Sequence, residues 1–372
     1  SYMSYLWGLL ILICLVYILI QIFYLFLLLK TRSESHAALN EYPQISILVA
    51  ARNEENNILH CLESLAQLDY PKDKIEILIG NDSSTDNTAA IIETFIVQHA
   101  QFKCIHLTGE EFPQTKGKAR VLAVLAQAAK GEVLMITDAD ILVNPQWAKG
   151  MTHALIESKS GLVAGVTNIK AHNLFTSFQQ VDWLYFMGIF YAFSSIKKPI
   201  SAVGNNMAFL KKAYDETGGY ENIPFSITED YALFKAIRSK GYGTMQLMNK
   251  ETLLYSKPID TFNGLMRQRK RWLIGGHDLP TYYQLMISIF GAWYIALPIL
   301  LFTNYWLLAI GMLIFKDFIQ LFQIMNINKK LNLKIEHPIA VLFYDVYLFL
   351  IIPATLFFFF MPGKTVWKGR KY

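Results

Sequence analysis

The chain has 372 residues, of which 53% are apolar or aromatic and 17% charged, with 34 basic against 29 acidic side chains for a net charge of +5. That apolar share exceeds the roughly 45 to 50% usual for a soluble domain, and the composition excludes a disordered chain and a surface wholly facing water. The basic residues gather beside apolar blocks rather than along one stripe, so they read as membrane flanks, and no nucleic-acid partner is expected.

Leu6 to Leu29 is 24 residues without a charge, long enough at about 1.5 Å per residue to cross a hydrocarbon core of about 30 Å. It lacks the basic start, short apolar core and small-residue cleavage site of a secretory signal, which predicts an uncleaved transmembrane helix over 1–30. Lys30 and Arg32 follow it and place the next region in the cytoplasm by the positive-inside tendency.

Residues 42–278 have ordinary soluble composition and alternate short β-branched runs with helical patterns. Strands are predicted at Ile45 to Ala50, Ile75 to Ile79, Cys104 to Leu107, Val133 to Thr137 and Leu162 to Val166. Helices fall between them at Glu55 to Leu68, Thr88 to Gln98, Gly117 to Ala129 and Gln146 to Glu157. This alternation implies parallel βαβ units with ligands at the carboxyl ends of the strands. The aromatic-rich stretch His172 to Phe193 predicts an interfacial helix at the membrane surface, about 172–195, and a second is expected at about 260–280. Leu285 to Phe315 reads as a hairpin of spans turning at Thr303-Asn304, its second helix ending near Met325, and Pro338 to Pro362 is a further span carrying only Asp345. One span before and three after would strand the basic tail 363–372 on the far side, so the last or the middle segment of 285–362 is expected to be re-entrant or interfacial. Cys14, Cys61 and Cys104 are widely separated and show neither a disulfide framework nor zinc-ligand spacing.

Acidic groups cluster where strands end. The first strand runs into Ala50-Ala51-Arg52-Asn53-Glu54-Glu55 and the second into Asn81-Asp82-Ser83-Ser84-Thr85-Asp86-Asn87-Thr88, pairings of backbone donors and carboxylates that also serve as ordinary turns and caps. The fourth strand ends in Thr137-Asp138-Ala139-Asp140, whose hard oxygens suit Mg²⁺ or Mn²⁺. Thr228-Glu229-Asp230 opens an amphipathic helix, where an acid favours the helix dipole or serves as a general base. Gln268-Arg269-Lys270-Arg271-Trp272 reads either as a basic, Trp-bearing interface anchor or as a phosphate-facing arginine beside a flat indole.

The ordered set AARNEE, NDSSTDNT, GKA, DAD, GNN, GGY, TED and QRKRW over residues 50–272 resembles membrane-bound family 2 glycosyltransferases of the GT-A fold, among them ceramide-glucosyltransferase-like enzymes and processive polysaccharide synthases. The resemblance implies an α/β fold, Rossmann-like, with a mixed and mostly parallel sheet, in a cytoplasmic domain flanked by transmembrane helices. It implies that Ala50, Arg52, Asn53 and Glu54 line the nucleotide pocket, that Asp82 contacts the base and that Lys118 assists the nucleotide. Asp138 and Asp140 match the DxD pair for Mg²⁺ or Mn²⁺, with Asp140 the direct metal ligand and Asp138 on ribose or metal. Asp230 matches the acid that deprotonates the acceptor, with Glu229 its neighbour. Gln268, Arg271 and Trp272 match the motif that closes the donor and acceptor site, and Gly204, Asn205 and Asn206 fall in the acceptor-side loop, Gly204 and Asn205 being counted with the donor-binding residues. Asn81 stands where many members carry a second aspartate.

The resemblance further implies an inverting transfer from a nucleotide-diphospho-sugar, a UDP-sugar foremost, to a lipid or lipid-linked hydroxyl at a bacterial inner membrane. A processive synthase of a β-linked extracellular polysaccharide is the alternative within enzymes, with a glycan as acceptor. A non-catalytic nucleotide-sugar-binding membrane protein is the alternative of another class, disfavoured because it has no use for Asp230 or Trp272.

Overall fold

The computed structural model describes residues 2–31, 39, 41–224, 226 and 228–361, with the backbone of 366–367 and 370–371. Arg32 and the tail residues Lys364 and Lys368 lie outside the described residues. The elements begin with α1 (Tyr2–Lys30), β1 (Ile45–Ala51), α2 (Ile58–Ala66), β2 (Ile75–Asn81), α3 (Thr88–Ile96), β3 (Phe102–His106), α4 (Gly117–Ala128), β4 (Val133–Asp138) and α5 (Trp147–Glu157). They continue with β5 (Leu162–Ala164), β6 (Thr167–Ile169), α6 (Leu174–Ser195), β7 (Asn206–Leu210), α7 (Lys211–Thr217), α8 (Glu229–Ser239), β8 (Thr244–Gln246) and β9 (Leu254–Ser256). Then come α9 (Phe262–Gly275), α10 (Thr281–Leu301), α11 (Trp306–Leu331), α12 (Pro338–Leu342) and α13 (Tyr344–Phe360), followed by the short antiparallel pair β10 (Val366–Trp367) and β11 (Arg370–Lys371). The chain forms two compact units, a helical one of 1–32, 171–200 and 259–365 and an α/β one of 33–170, 201–258 and 366–372.

The α/β unit is built on a seven-stranded sheet of order β3-β2-β1-β4-β7-β5-β8, with β6 and β9 paired in a small second sheet. β3, β2, β1 and β4 run parallel, while β7 is antiparallel to both β4 and β5. The central strands are buried on both faces, which is why they read as near-continuous apolar runs rather than alternating ones. Ile45, Ile47 and Val49 join Cys61, Leu62 and Leu65 of α2 and Trp147, Met151 and Leu155 of α5 in one core, and α4 packs on β1 and β2. The register aligns the strand ends: Ala50 pairs with Gly80 on one side and with Asp138 on the other. Three polar loops therefore leave the sheet at one edge.

In the helical unit, α1, α10 and α11 have 29, 21 and 26 residues and are long and apolar enough to cross a membrane. The last apolar stretch is interrupted at Phe343, leaving α13 with 17 residues, about 25 Å at 1.5 Å per residue. α6 opens on a capping box between Asn173 and Thr176 and packs against α1, α11, α12 and α13. Polar side chains tie these helices together: Tyr185 Oη donates to Gln21 Oε1 at 2.5 Å, and Gln323 Nε2 donates to the Gln21 carbonyl at 2.9 Å. Lys316 of α11 is fully buried and paired with Asp345 of α13, whose carboxylate also accepts from Tyr294 Oη at 2.9 Å.

Candidate active site

The first two loops are zipped together at the edge of the sheet. Asn53 N donates to Ser84 Oγ at 3.1 Å and Thr85 N donates to Asn53 Oδ1 at 2.8 Å. Asn53 and Ser83 both hold φ of +52°, a left-handed conformation that non-glycine residues adopt at a cost and that recurs at ligand sites. Glu54 is buried, its amide donating to Thr88 Oγ1 at 2.7 Å and its carboxylate accepting from Asn57 Nδ2 at 2.7 Å. Ala50 and Arg52 line the same edge, and the Arg52 Nη1 group donates to the Asp82 carbonyl at 2.5 Å. Asp82 itself is buried, with Arg52 at 3.7 Å from one carboxylate oxygen and Arg120 of α4 at 3.4 Å from the other. Arg120 carries no motif and was not among the expected residues; a second basic side chain, two residues after Lys118 at the start of a mostly apolar helix, is the signal that marks it.

The fourth strand delivers Asp138 and Asp140. Lys118, from the first turn of α4, reaches Asp138 Oδ1 at 2.5 Å and Glu229 Oε1 at 3.2 Å, so the DAD acids and the helix-opening acids form one network across α4, β4 and α8. Burial alone would lower the Lys118 ammonium, but Asp138 and then Glu229 hold it well above its ordinary value. Burial and the neighbouring Asp138 push Asp140 up to about 6. Two crowded carboxylates, partly neutralised by a single lysine, are a donor set that fits a hard divalent cation.

Asp230 sits one residue beyond Glu229 at the start of α8, where it accepts from Gly204 N through Oδ2 and from Tyr231 N through Oδ1, both at 2.8 Å. A Cβ at position 204 would lie 2.7 Å from Asp230 Cβ, so only glycine permits this approach. Burial and Glu229 push Asp230 up to about 6, against the opposing pull of Gly204 N, Lys118 and Tyr231 N. Asn205 accepts from Thr167 Oγ1 at 2.9 Å. Asn206 turns inward and is committed to structure: Trp147 Nε1 donates to its Oδ1 at 2.8 Å, and its Nδ2 donates to the Val166 and Thr252 carbonyls, both at 2.9 Å.

The structure thus brings Asp138, Asp140, Lys118, Glu229, Asp230 and Gly204 into one site beside Asp82. Gln268, Arg271 and Trp272 lie on α9 of the helical unit, where Trp272 and Trp183 of α6 have ring centroids 5.2 Å apart. Arg269 of that motif is largely buried, ion-paired with Asp182 and donating to Tyr347 Oη at 3.1 Å, while Tyr344 Oη donates to Asp182 at 2.5 Å. Neither Arg269 nor Asp182 was among the expected residues.

A mixed sheet with helices on both faces and acids at its strand ends is the GT-A glycosyltransferase architecture. A mannosyltransferase from Pyrobaculum calidifontis, solved with GDP-Man and Mn²⁺, matches the fold with a TM-score of 0.58 at 17% identity, over 87% of this chain and 99% of that one. The chain belongs to glycosyl transferase family 21, whose sequence profile matches residues 8–372. The poly-beta-1,6-N-acetyl-D-glucosamine synthase of Staphylococcus epidermidis is 29% identical over 264 residues, 70% of this chain and 61% of that protein. The beta-monoglucosyldiacylglycerol synthase of a Nostoc species is 26% identical over 247 residues, 63% of this chain and 49% of that protein. The chain therefore spans between 49% and 61% of the length of these two curated relatives. Among the described residues it carries three helices long and apolar enough to cross a membrane.

Proposed function

We propose that the protein transfers a sugar from a nucleotide-diphospho-sugar to the hydroxyl of a lipid or lipid-linked acceptor at the membrane. The observation that carries this reading is the continuous network from Asp138 through Lys118 to Glu229, with Asp230 beside it, which sets a diphosphate-handling pair and a general base side by side. Asp82, oriented by Arg52 and Arg120, contacts the nucleotide base, and the backbone from Ala50 to Glu54 closes the pocket around it.

In the reaction, Asp230 accepts the proton of the acceptor hydroxyl as that oxygen bonds to the anomeric carbon. The bond from that carbon to the diphosphate breaks, and the nucleoside diphosphate departs from the opposite face with inversion. Gly204 N and Tyr231 N fix the carboxylate's orientation before any substrate arrives, so little reorganisation is left for the transition state. Lys118 places a cation beside the departing phosphates. Asp138 and Asp140 are the residues that would hold Mg²⁺ or Mn²⁺, which when bound supplies charge neutralisation to the leaving diphosphate. The resemblance assigns Gln268, Arg271 and Trp272 to the family's Q-x-x-R-W motif.

A lipid acceptor is favoured because, among the described residues, three helices are long and apolar enough to seat the protein in a bilayer, and a similar protein is a beta-monoglucosyldiacylglycerol synthase. The similarity to a polysaccharide synthase supports a second reading, repeated addition to a growing β-linked chain. The deciding experiment incubates purified protein with a panel of nucleotide sugars and membrane lipid extract, following nucleotide release and the product by mass spectrometry. Single addition to a lipid with one UDP-sugar is the expected result. A ladder of products would establish the second reading, and no release from any donor would overturn both.

A further inference from the structure

We propose that Glu93, Cys104 and His106 form a second cation site, for a borderline-soft divalent ion of the zinc class, on the edge strand of the sheet. Cys104 and His106 are two residues apart on β3 and so point to the same face, and α3, which packs on that strand, supplies Glu93. One ligand atom from each lies within 4.8 Å of the other two, and Glu93 Oε1 is 2.7 Å from His106 Nε2. Tetrahedral zinc ligands stand about 3.4 to 3.8 Å from each other, so the Glu93–His106 pair must open by about 1 Å to admit an ion, an adjustment that side-chain rotation supplies because both side chains are half exposed.

The donor set distinguishes this site from the DAD pair. Sulfur, nitrogen and one carboxylate select zinc-like ions, whereas all-oxygen ligands suit Mg²⁺ or Mn²⁺. Burial, and then Glu93, push the Cys104 thiol up to about 12. It is therefore a poor free nucleophile at neutral pH, and coordination would expel its proton. The outer partner is Asn81, whose Nδ2 lies 3.0 Å from His106 Nδ1 while its Oδ1 accepts from Ser84 N at 3.3 Å; ligation through Nε2 puts the ring proton on Nδ1 and so requires this amide to flip, exchanging the long Ser84 contact for an Nδ1–H to Oδ1 bond. Asn81 directly precedes Asp82, so the ion would sit next to the loop assigned to the nucleotide, yet the site requires nothing of the transfer reaction. The plain alternative is a surface Glu93–His106 ion pair that binds nothing.

Titration of the full chain in detergent with Co²⁺ separates the two. The proposal expects one saturable site per chain with a sulfur-to-cobalt charge-transfer band in the near ultraviolet, displaced by Zn²⁺ and untouched by excess Mg²⁺. The band should vanish in Cys104→Ser, and the Co²⁺ affinity should fall at least tenfold in His106→Ala and in Glu93→Gln. These two substitutions lie on the surface and keep the thiol, so they report on ligation whether or not Cys104→Ser folds. Co²⁺ at the DAD pair gives no such band. Absence of the band in the parent protein, its persistence in Cys104→Ser, or an unchanged affinity in both surface variants would overturn the site.

Discussion

Asp230 carries two opposed demands. In the proposed base role it must be ionised, yet burial and Glu229 raise its proton affinity to a pKa of about 6. A carboxyl with a raised folded pKa binds its proton more tightly than in the unfolded chain, where it titrates near 3.9. The associated stability is present below that lower value and is lost as pH rises through about 6, so ionised Asp230 is a stability cost at neutral pH. Activity has the opposite slope: kcat/KM should be level above about 6 and fall tenfold per pH unit below it. Asp230→Asn should lose about 10²- to 10⁴-fold in kcat, keep donor affinity within about twofold by titration, and melt no lower than the parent. A variant with parental kcat would remove Asp230 from the base role. The acids of this site were legible because each stands at a strand end or a helix start, where position alone exposes a carboxylate. Arg120 and the Asp182–Arg269 pair were not, since their partners are distant in sequence, 38 residues away in one case and 87 in the other. A lone acid inside the aromatic run of α6 was the one hint of the second pair.

Among the elements, α11 and α13 are joined by a charge pair with no exposure at Lys316 and little at Asp345. Gln320 Oε1 accepts from Lys316 Nζ at 2.5 Å and Tyr294 Oη donates to Asp345, so each charge is hydrogen-bonded as well as paired. Lys316 Nζ also reaches the half-exposed Asp317 at 3.2 Å, so the cost falls on the other side: removing Lys316 leaves Asp345 buried without its cation, which costs about 3 to 5 kcal/mol, whereas an apolar pair of similar size is close to neutral. Lys316→Met alone should therefore sharply reduce the yield and melting temperature of the detergent-solubilised protein, and Lys316→Met with Asp345→Leu should restore both. Equal loss in the single and double variants would show that the charges do more than close the helix contact. From sequence, Lys316-Asp317 read only as a polar step in an apolar helix; the partner across α13 is a tertiary fact. The same distinction explains the sheet. β1, β2 and β4 announce themselves through unbroken β-branched runs, whereas β7 carries Asn, Met, Ala and Phe and exists because it slots antiparallel between β4 and β5. β6 and β9 have three residues each and are strands only by virtue of pairing with each other.

At the scale of the whole molecule, helix lengths and flanking charges decide the topology. Lys30 closes α1, and Lys329 and Lys330 close α11. By the positive-inside tendency we infer that both ends face the cytoplasm, with α10 and α11 as an outgoing and returning pair. The next stretch is different in kind: α12 and α13 are separated at Phe343, and α13 at 17 residues is about 25 Å long, short of a hydrocarbon core of about 30 Å. We infer that it enters the bilayer without crossing it, packed on α9 and α10. On that reading the basic sequence 363–372 would remain on the cytoplasmic side, as the positive-inside tendency favours. A protease-sensitive tag fused after Tyr372 should survive externally added protease in spheroplasts and be cleaved once the membrane is permeabilised. Cleavage in intact spheroplasts would make α13 a true fourth span, set its charges against the positive-inside tendency, and favour the reading in which more helices surround an exported polymer.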